Sequence, residues 1–164
     1  MKTLILIRHA KSSWSSPVLS DIERPLNERG KRDAPFMGSL LLNNQILPDV
    51  IYSSPAVRAL STAKIIAEKV KYLPSNIKIK SEIYEASVPE LLKVISLFDD
   101  EYNNIMMFGH NPGFSYLANY LCNDFNNNMP TCSFVELNFD IDNWQNITAN
   151  SGTLVNFEYP KKYK

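Results

Sequence analysis

Cysteine, histidine and net charge are all scarce in this chain. Its 164 residues include two cysteines and two histidines, and Lys+Arg and Asp+Glu balance at 17 each. Cys122 and Cys132 cannot make a disulfide framework, and with no neighbouring histidine they are not a metal-ligand set. They are expected to pack as small apolar residues in a reducing compartment. The zero formal charge gives no global field toward nucleic acid or an anionic membrane, so neither is expected as a partner, although charge can still gather locally. No apolar run is long enough to span a bilayer. Leu4-Ile5-Leu6-Ile7 meets Arg8 before it reaches the length of a signal-peptide core. A Walker A loop and a GxGxxG turn are both missing, which removes the sequence support for nucleotide binding. A cytoplasmic location is the expectation that remains.

What is present is 45% hydrophobic and 21% charged, an ordinary globular composition at a length suited to one domain over residues 1–164. Thr3 to Ile7 is a continuous apolar run, as in a strand buried on both faces. A polar loop from Lys11 to Arg24 follows. The spacing then predicts a helix over about Asn27–Asn43, with a kink or break at Pro35. Val50-Ile51-Tyr52 reads as a second strand. Ser54 as N-cap and Pro55 as first residue open a helix running to about Val70. Ile77 to Lys80 can form a short strand, and Ser87-Val88-Pro89-Glu90 fits a capping box before another helix. Ile105 to Phe108 is a third apolar strand. Asn111 and Pro112 start a helix burying Leu117, Tyr120 and Leu121. Cys132–Phe139 and Thr153–Tyr159 complete the strands. Strands alternating with helices indicate an α/β fold with a largely parallel sheet.

The chemistry collects at strand ends. The first strand ends in Arg8-His9, the second is followed by Arg58 one turn into its helix, and the third ends in His110. Ligands of open α/β sheets bind outside the carboxyl ends of the strands. Helical side chains lean toward the N-terminus, so Arg58 points back to that rim, where helix N–H groups also lie. Two guanidinium groups and both histidines of the chain aimed at one place suit a dianion such as phosphate. For each arginine the alternative is a salt bridge at the sheet edge. Two histidines without Asp, Glu or Cys at ligand spacing do not make a metal site, so no metal or cofactor is expected.

Leu6-Ile7-Arg8-His9-Ala10-Lys11-Ser12-Ser13-Trp14 resembles the opening Arg-His motif of the histidine phosphatase superfamily. Arg24-Pro25-Leu26-Asn27-Glu28-Arg29-Gly30, Ser53-Ser54-Pro55-Ala56-Val57-Arg58-Ala59 and Gly109-His110-Asn111-Pro112-Gly113 continue the likeness in order. Together they are most similar to the compact SixA-type phosphohistidine phosphatases. The resemblance implies a three-layer α/β/α fold, phosphoglycerate mutase-like, with a mostly parallel sheet and no metal. It implies His9 as nucleophile, with Arg8, Arg58 and His110 on the phosphoryl oxygens. Ala10 replaces the glycine of the mutases, and Ser15 stands where many mutases have an asparagine. Ile83-Tyr84-Glu85 resembles the segment supplying the mutases' general acid; the alternative for Glu85 is a solvated carboxylate beside the Ser87 cap. The chain lacks the long insertions of the mutases, which implies an open site.

The expected reaction is attack by neutral His9 on phosphorus, its pKa lowered by Arg8 and Arg58, then hydrolysis of the phosphohistidine. The expected substrate is phosphohistidine in a protein. Small phosphate esters, or a non-catalytic phosphate-binding scaffold, are the alternatives. Lys11 and Arg24 read as solvated loop charges, the alternative being a wider positive rim, and Trp14 as a packing anchor rather than a substrate platform.

Overall fold

The computed structural model describes residues 1–164. Its centre is a six-stranded sheet of β1 (Lys2–Arg8), β2 (Val50–Ser53), β3 (Lys78–Ile79), β4 (Asn104–Gly109), β5 (Phe134–Phe139) and β6 (Gly152–Glu158), in the order β3-β2-β4-β1-β5-β6. β1, β2, β3 and β4 pair in parallel, and β5 alone runs against its neighbours β1 and β6. Four helices cover the sheet: α1 (Glu28–Asn43), α2 (Val57–Lys69), α3 (Val88–Ser96) and α4 (Gly113–Leu121). This is the mostly parallel α/β architecture that the strand–helix alternation implies.

The apolar run of β1 explains the layering. Side chains alternate across a strand, so Leu4 and Leu6 join the core under α3 and α4, while Ile5 and Ile7 join the core under α1 and α2. β4 repeats the division, with Ile105 and Met107 on one face and Met106 and Phe108 on the other. Each such buried side chain contributes about 1.5–3 kcal/mol. Connections leaving β1 and β2 run toward one sheet edge, and those from β3 and β4 run back. Right-handed crossovers therefore put α1 and α2 on one face and α3 and α4 on the other. The crevice between the two directions opens at the carboxyl ends of β1 and β4.

Several local expectations change. α1 runs through Pro35 without interruption. α2 begins at Val57, two residues after Pro55, with Ala56 as N-cap. α4 begins at Gly113 and leaves Tyr120 41% exposed, so that ring is not in the core. Ser87 does cap α3 in a capping box with Glu90. Cys122 and Cys132 are buried and unpaired. No helix is long and apolar enough to cross a membrane.

Candidate active site

Strand register sets the site. Arg8 lies opposite Gly109 across β1 and β4, and Ser53 lies opposite Phe108 across β2 and β4. The next residues, His9, His110 and Ser54, therefore leave the sheet at one level. The His9 and His110 ring centroids are 5.2 Å apart, and Ser54 Oγ is 2.8 Å from His110 Nε2. Each histidine is only 8% exposed.

His9 is held in one tautomer. Its Nδ1 is 2.8 Å from the Ala10 carbonyl oxygen. A carbonyl only accepts, so Nδ1 carries the hydrogen and the lone pair of the neutral ring sits on Nε2. Ala10 is itself fixed: its N–H donates to Thr62 Oγ1 at 2.9 Å, and the Thr62 hydroxyl donates to the Arg58 carbonyl at 2.7 Å. The backbone that orients His9 is thus tied to the turn of α2 that carries Arg58.

The Arg24–Gly30 segment clamps the same loop from the other side. Pro25 O accepts from Ser13 N at 2.8 Å, and Asn27 N donates to Lys11 O at 2.9 Å. A Cβ on Gly30 would lie 2.2 Å from Lys11 O. Only a glycine lets α1 approach this closely.

His110 is oriented by Ser54. Ser54 Oγ accepts from Ala56 N at 3.2 Å and lies 2.8 Å from His110 Nε2, a contact in which either atom can be the donor. His110 Nδ1 is buried and has no protein partner.

Both rings resist protonation, and burial is the main cause. His9 is pushed down to about 3 by burial first; the Ala10 carbonyl opposes, and His110, Arg58 and Arg8 add. His110 is pushed down to about 4 by burial, then by Arg58, with Asp21 opposing and Arg8 adding. The direction is the expected one, but the arginines are secondary because the rings are so nearly closed off from water. Arg8 donates through Nη1 to Met129 O at 2.8 Å, and its Nε is buried without a partner.

Arg58 has an unforeseen partner. Its Nη1 donates to Asp21 O at 2.7 Å and its Nη2 to Asp21 Oδ2 at 3.0 Å. The salt bridge weighed as an alternative for this arginine is therefore present. It uses two of the five guanidinium N–H groups. Asp21 also accepts from the Tyr84 hydroxyl at 2.6 Å and from Arg24 Nη1 at 2.9 Å. Tyr84, then Arg24 and Arg58, hold the Asp21 carboxyl below the usual carboxylate range, and the Tyr84 hydroxyl is raised to about 12 chiefly by Asp21.

Arg24 is not a solvated loop charge. It is 8% exposed and donates to Ser13 O, Ser12 Oγ and Asp21. Trp14 is 74% exposed and lies under the Arg24 guanidinium at 3.1 Å, so it anchors no core. Ser15 Oγ is 2.7 Å from Ser13 Oγ in the exposed loop.

Glu85 lies outside the Ser87 capping box, whose acid is Glu90. It is exposed, has a φ of 55°, and lines a groove of about 510 Å³ together with Arg58 and His110. The five residues singled out from sequence thus divide as three buried side chains, His9, Arg58 and His110, a half-buried Arg8, and one exposed carboxylate at the mouth. Asp21, Ser54 and Thr62 escaped sequence reading because their partners lie 37 to 56 residues away. Nowhere do three His, Cys, Asp or Glu side chains gather to hold a metal ion.

Comparison with known proteins gives the family and the fold. A model of the histidine phosphatase superfamily (branch 1) matches residues 4–91. An uncharacterised chloroplastic protein of Arabidopsis thaliana is 30% identical over 159 residues, covering 92% of this chain and 72% of the plant protein. SixA of Agrobacterium tumefaciens, whose assignment as a phosphohistidine phosphatase is provisional, superposes with a TM-score of 0.82 at 25% identity, covering 97% of this chain and 98% of that one. The protein histidine phosphatase SixA in complex with tungstate superposes with a TM-score of 0.80 at 20% identity, covering 99% of each chain. At that identity the likeness is one of fold.

Proposed function

The chain belongs to the histidine phosphatase superfamily, and from that membership we propose that it is a phosphatase working through a covalent phosphohistidine on His9. The observation that carries this reading is the bond from His9 Nδ1 to Ala10 O. It leaves Nε2 as the free lone pair and stabilises the positive charge the ring gains on attack.

In the first step Nε2 forms a bond to phosphorus as the bond from phosphorus to the leaving atom breaks. The leaving atom takes a proton from Glu85 or from water. Arg8 and Arg58 hold the equatorial oxygens with planar, permanently charged forks, and a His110 ring N–H donates to one of them. A dianion beside His110 draws its pKa upward, against the effect of burial. In the second step a water oxygen bonds to phosphorus and the N–P bond returns its electrons to His9. The water proton goes to Glu85 or solvent, and inorganic phosphate leaves. Three donor residues and a nucleophile fill the roles that a metal would otherwise share, so the reaction is assigned as metal-independent.

Phosphohistidine in a protein is the proposed substrate. Support comes from the likeness to SixA proteins and from a site whose groove is open enough for a protein side chain. The unpaired Cys122 and Cys132 suit a reducing compartment such as the cytoplasm. The test is turnover of phosphohistidine peptides, phosphoserine peptides and sugar phosphates, each with EDTA present. The expected result is the highest kcat/KM on phosphohistidine and inhibition by vanadate. Preference for a sugar phosphate would make the protein a small-ester phosphatase. Binding of phosphate without turnover of any donor would make it a scaffold, and activity lost to EDTA but restored by a divalent cation would overturn metal independence.

A further inference from the structure

A second groove, of about 330 Å³, begins at Arg8 and is lined by Lys11, Arg29, Lys161 and Lys164, with Asp33 as its one carboxylate. In a chain whose charges balance overall, this is a local concentration that composition conceals. The tail that supplies two of these lysines is ordered along it. Residues Pro160–Tyr163 form a 3-10 turn, Pro160 is buried, and the Tyr163 ring meets Phe36 of α1 edge-on at 5.6 Å.

Asp33 serves only part of this charge. It is 3.1 Å from Lys164 Nζ and 3.9 Å from Arg29 Nε. Arg8, Lys11 and Lys161 have no carboxylate within ion-pair distance. The Nε atoms of Arg8 and Arg29 are buried without hydrogen-bond partners. Arg8 also belongs to the phosphoryl site, so an anion in the groove is continuous with a phosphoryl group at His9.

We infer that this groove docks an acidic stretch of the phosphoprotein substrate beside its phosphorylated residue, an assignment that rests on the proposed phosphatase function. Half of the residues that line it are cations, against one acidic side chain, so its charge selects an anionic segment. Its cations come from β1, the loop after it, α1 and the tail, which spreads them along a surface. Such a spread matches a row of carboxylates at about 3.3 Å per extended residue better than one compact second anion.

The test uses two fluorescent peptides carrying the same stable phosphohistidine analogue, one flanked by Asp and Glu, the other by Asn and Gln. Binding to the full chain is read by anisotropy at low and high salt. The acidic peptide is expected to bind about tenfold tighter at low salt, as two or three exposed charge pairs allow. That advantage should vanish at high salt and in the Lys161→Glu/Lys164→Glu variant. Should that variant misfold, Lys11→Gln/Lys161→Gln is expected to reduce the same ratio. Equal affinities in the wild type, a preference that survives the substitutions, or displacement by RNA of matched charge at lower concentration would each overturn the assignment. Absence of all turnover with the peptide preference intact would instead strike the proposed function alone.

Discussion

Stability should fall steeply with acid in a window where only the active site titrates. His9 and His110 are the only histidines in the chain, and burial pushes them down to about 3 and about 4. An unfolded histidine titrates near pH 6.5. Below that pH the unfolded chain takes up protons that the folded rings refuse, so acid favours unfolding until the folded values are reached. Above it both states are neutral and the effect vanishes. Linkage gives a loss of about 2 kcal/mol for each histidine at about pH 5, about 4 kcal/mol together. That is a large part of the roughly 5–15 kcal/mol of a typical domain. The lowered Asp21 pKa acts in the same direction but lower in pH: its contribution is present above the unfolded carboxylate value and is lost as pH falls below that toward the folded one. Urea unfolding in phosphate-free buffer from about pH 7.5 to pH 5 measures the slope, and His110→Gln should remove close to half of it. A flat profile, or a slope unchanged in a His9→Gln/His110→Gln double variant, would refute the reasoning.

Asp21→Ala should raise KM for p-nitrophenyl phosphate about tenfold, because it removes a charged hydrogen bond that sets the angle of Arg58. The Asp21 side chain is 41% exposed, so its charge is screened while its geometry is not; a fall in KM would mean that it competes with phosphate. Glu85→Gln should slow alkyl phosphates far more than p-nitrophenyl phosphate, since a poor leaving group needs a proton most. Equal loss on both would assign Glu85 to binding or folding. Gly30→Ala should cost about 1–3 kcal/mol in urea unfolding and lower kcat, because the added Cβ meets Lys11 O on the loop that holds His9. Unchanged stability would show that α1 can withdraw freely.

The buried chemistry was legible in the sequence because it depends on position along single strands. Two apolar runs end in a basic residue and a third is followed by one a turn into its helix, and in an α/β pattern these three strand ends share a rim. What sequence does not carry is register and long-range pairing. Ser54 has the right residue type for an N-cap and its hydroxyl does accept from Ala56 N, but its contact with His110, 56 residues away, is invisible in the sequence and the helix begins later. Arg24 looks like a loop charge until Asp21 and Ser12 enclose it. Asp21 reads as loop polarity because its partners Arg58 and Tyr84 lie 37 and 63 residues on. Tyr120 matched a helical stripe that the shortened α4 turns outward. The direction of β5 was equally hidden, since an alternating half-buried pattern is the same whichever way the strand runs.

The proposed attachment of the phosphoryl group to His9 Nε2 is tested by brief reaction with a labelled phosphodonor, quenched and mapped by mass spectrometry. One phosphorylated residue, His9, is expected, with label that is labile in acid and stable in base, and none in His9→Ala. Label on another residue, or turnover that persists in His9→Ala, would contradict it.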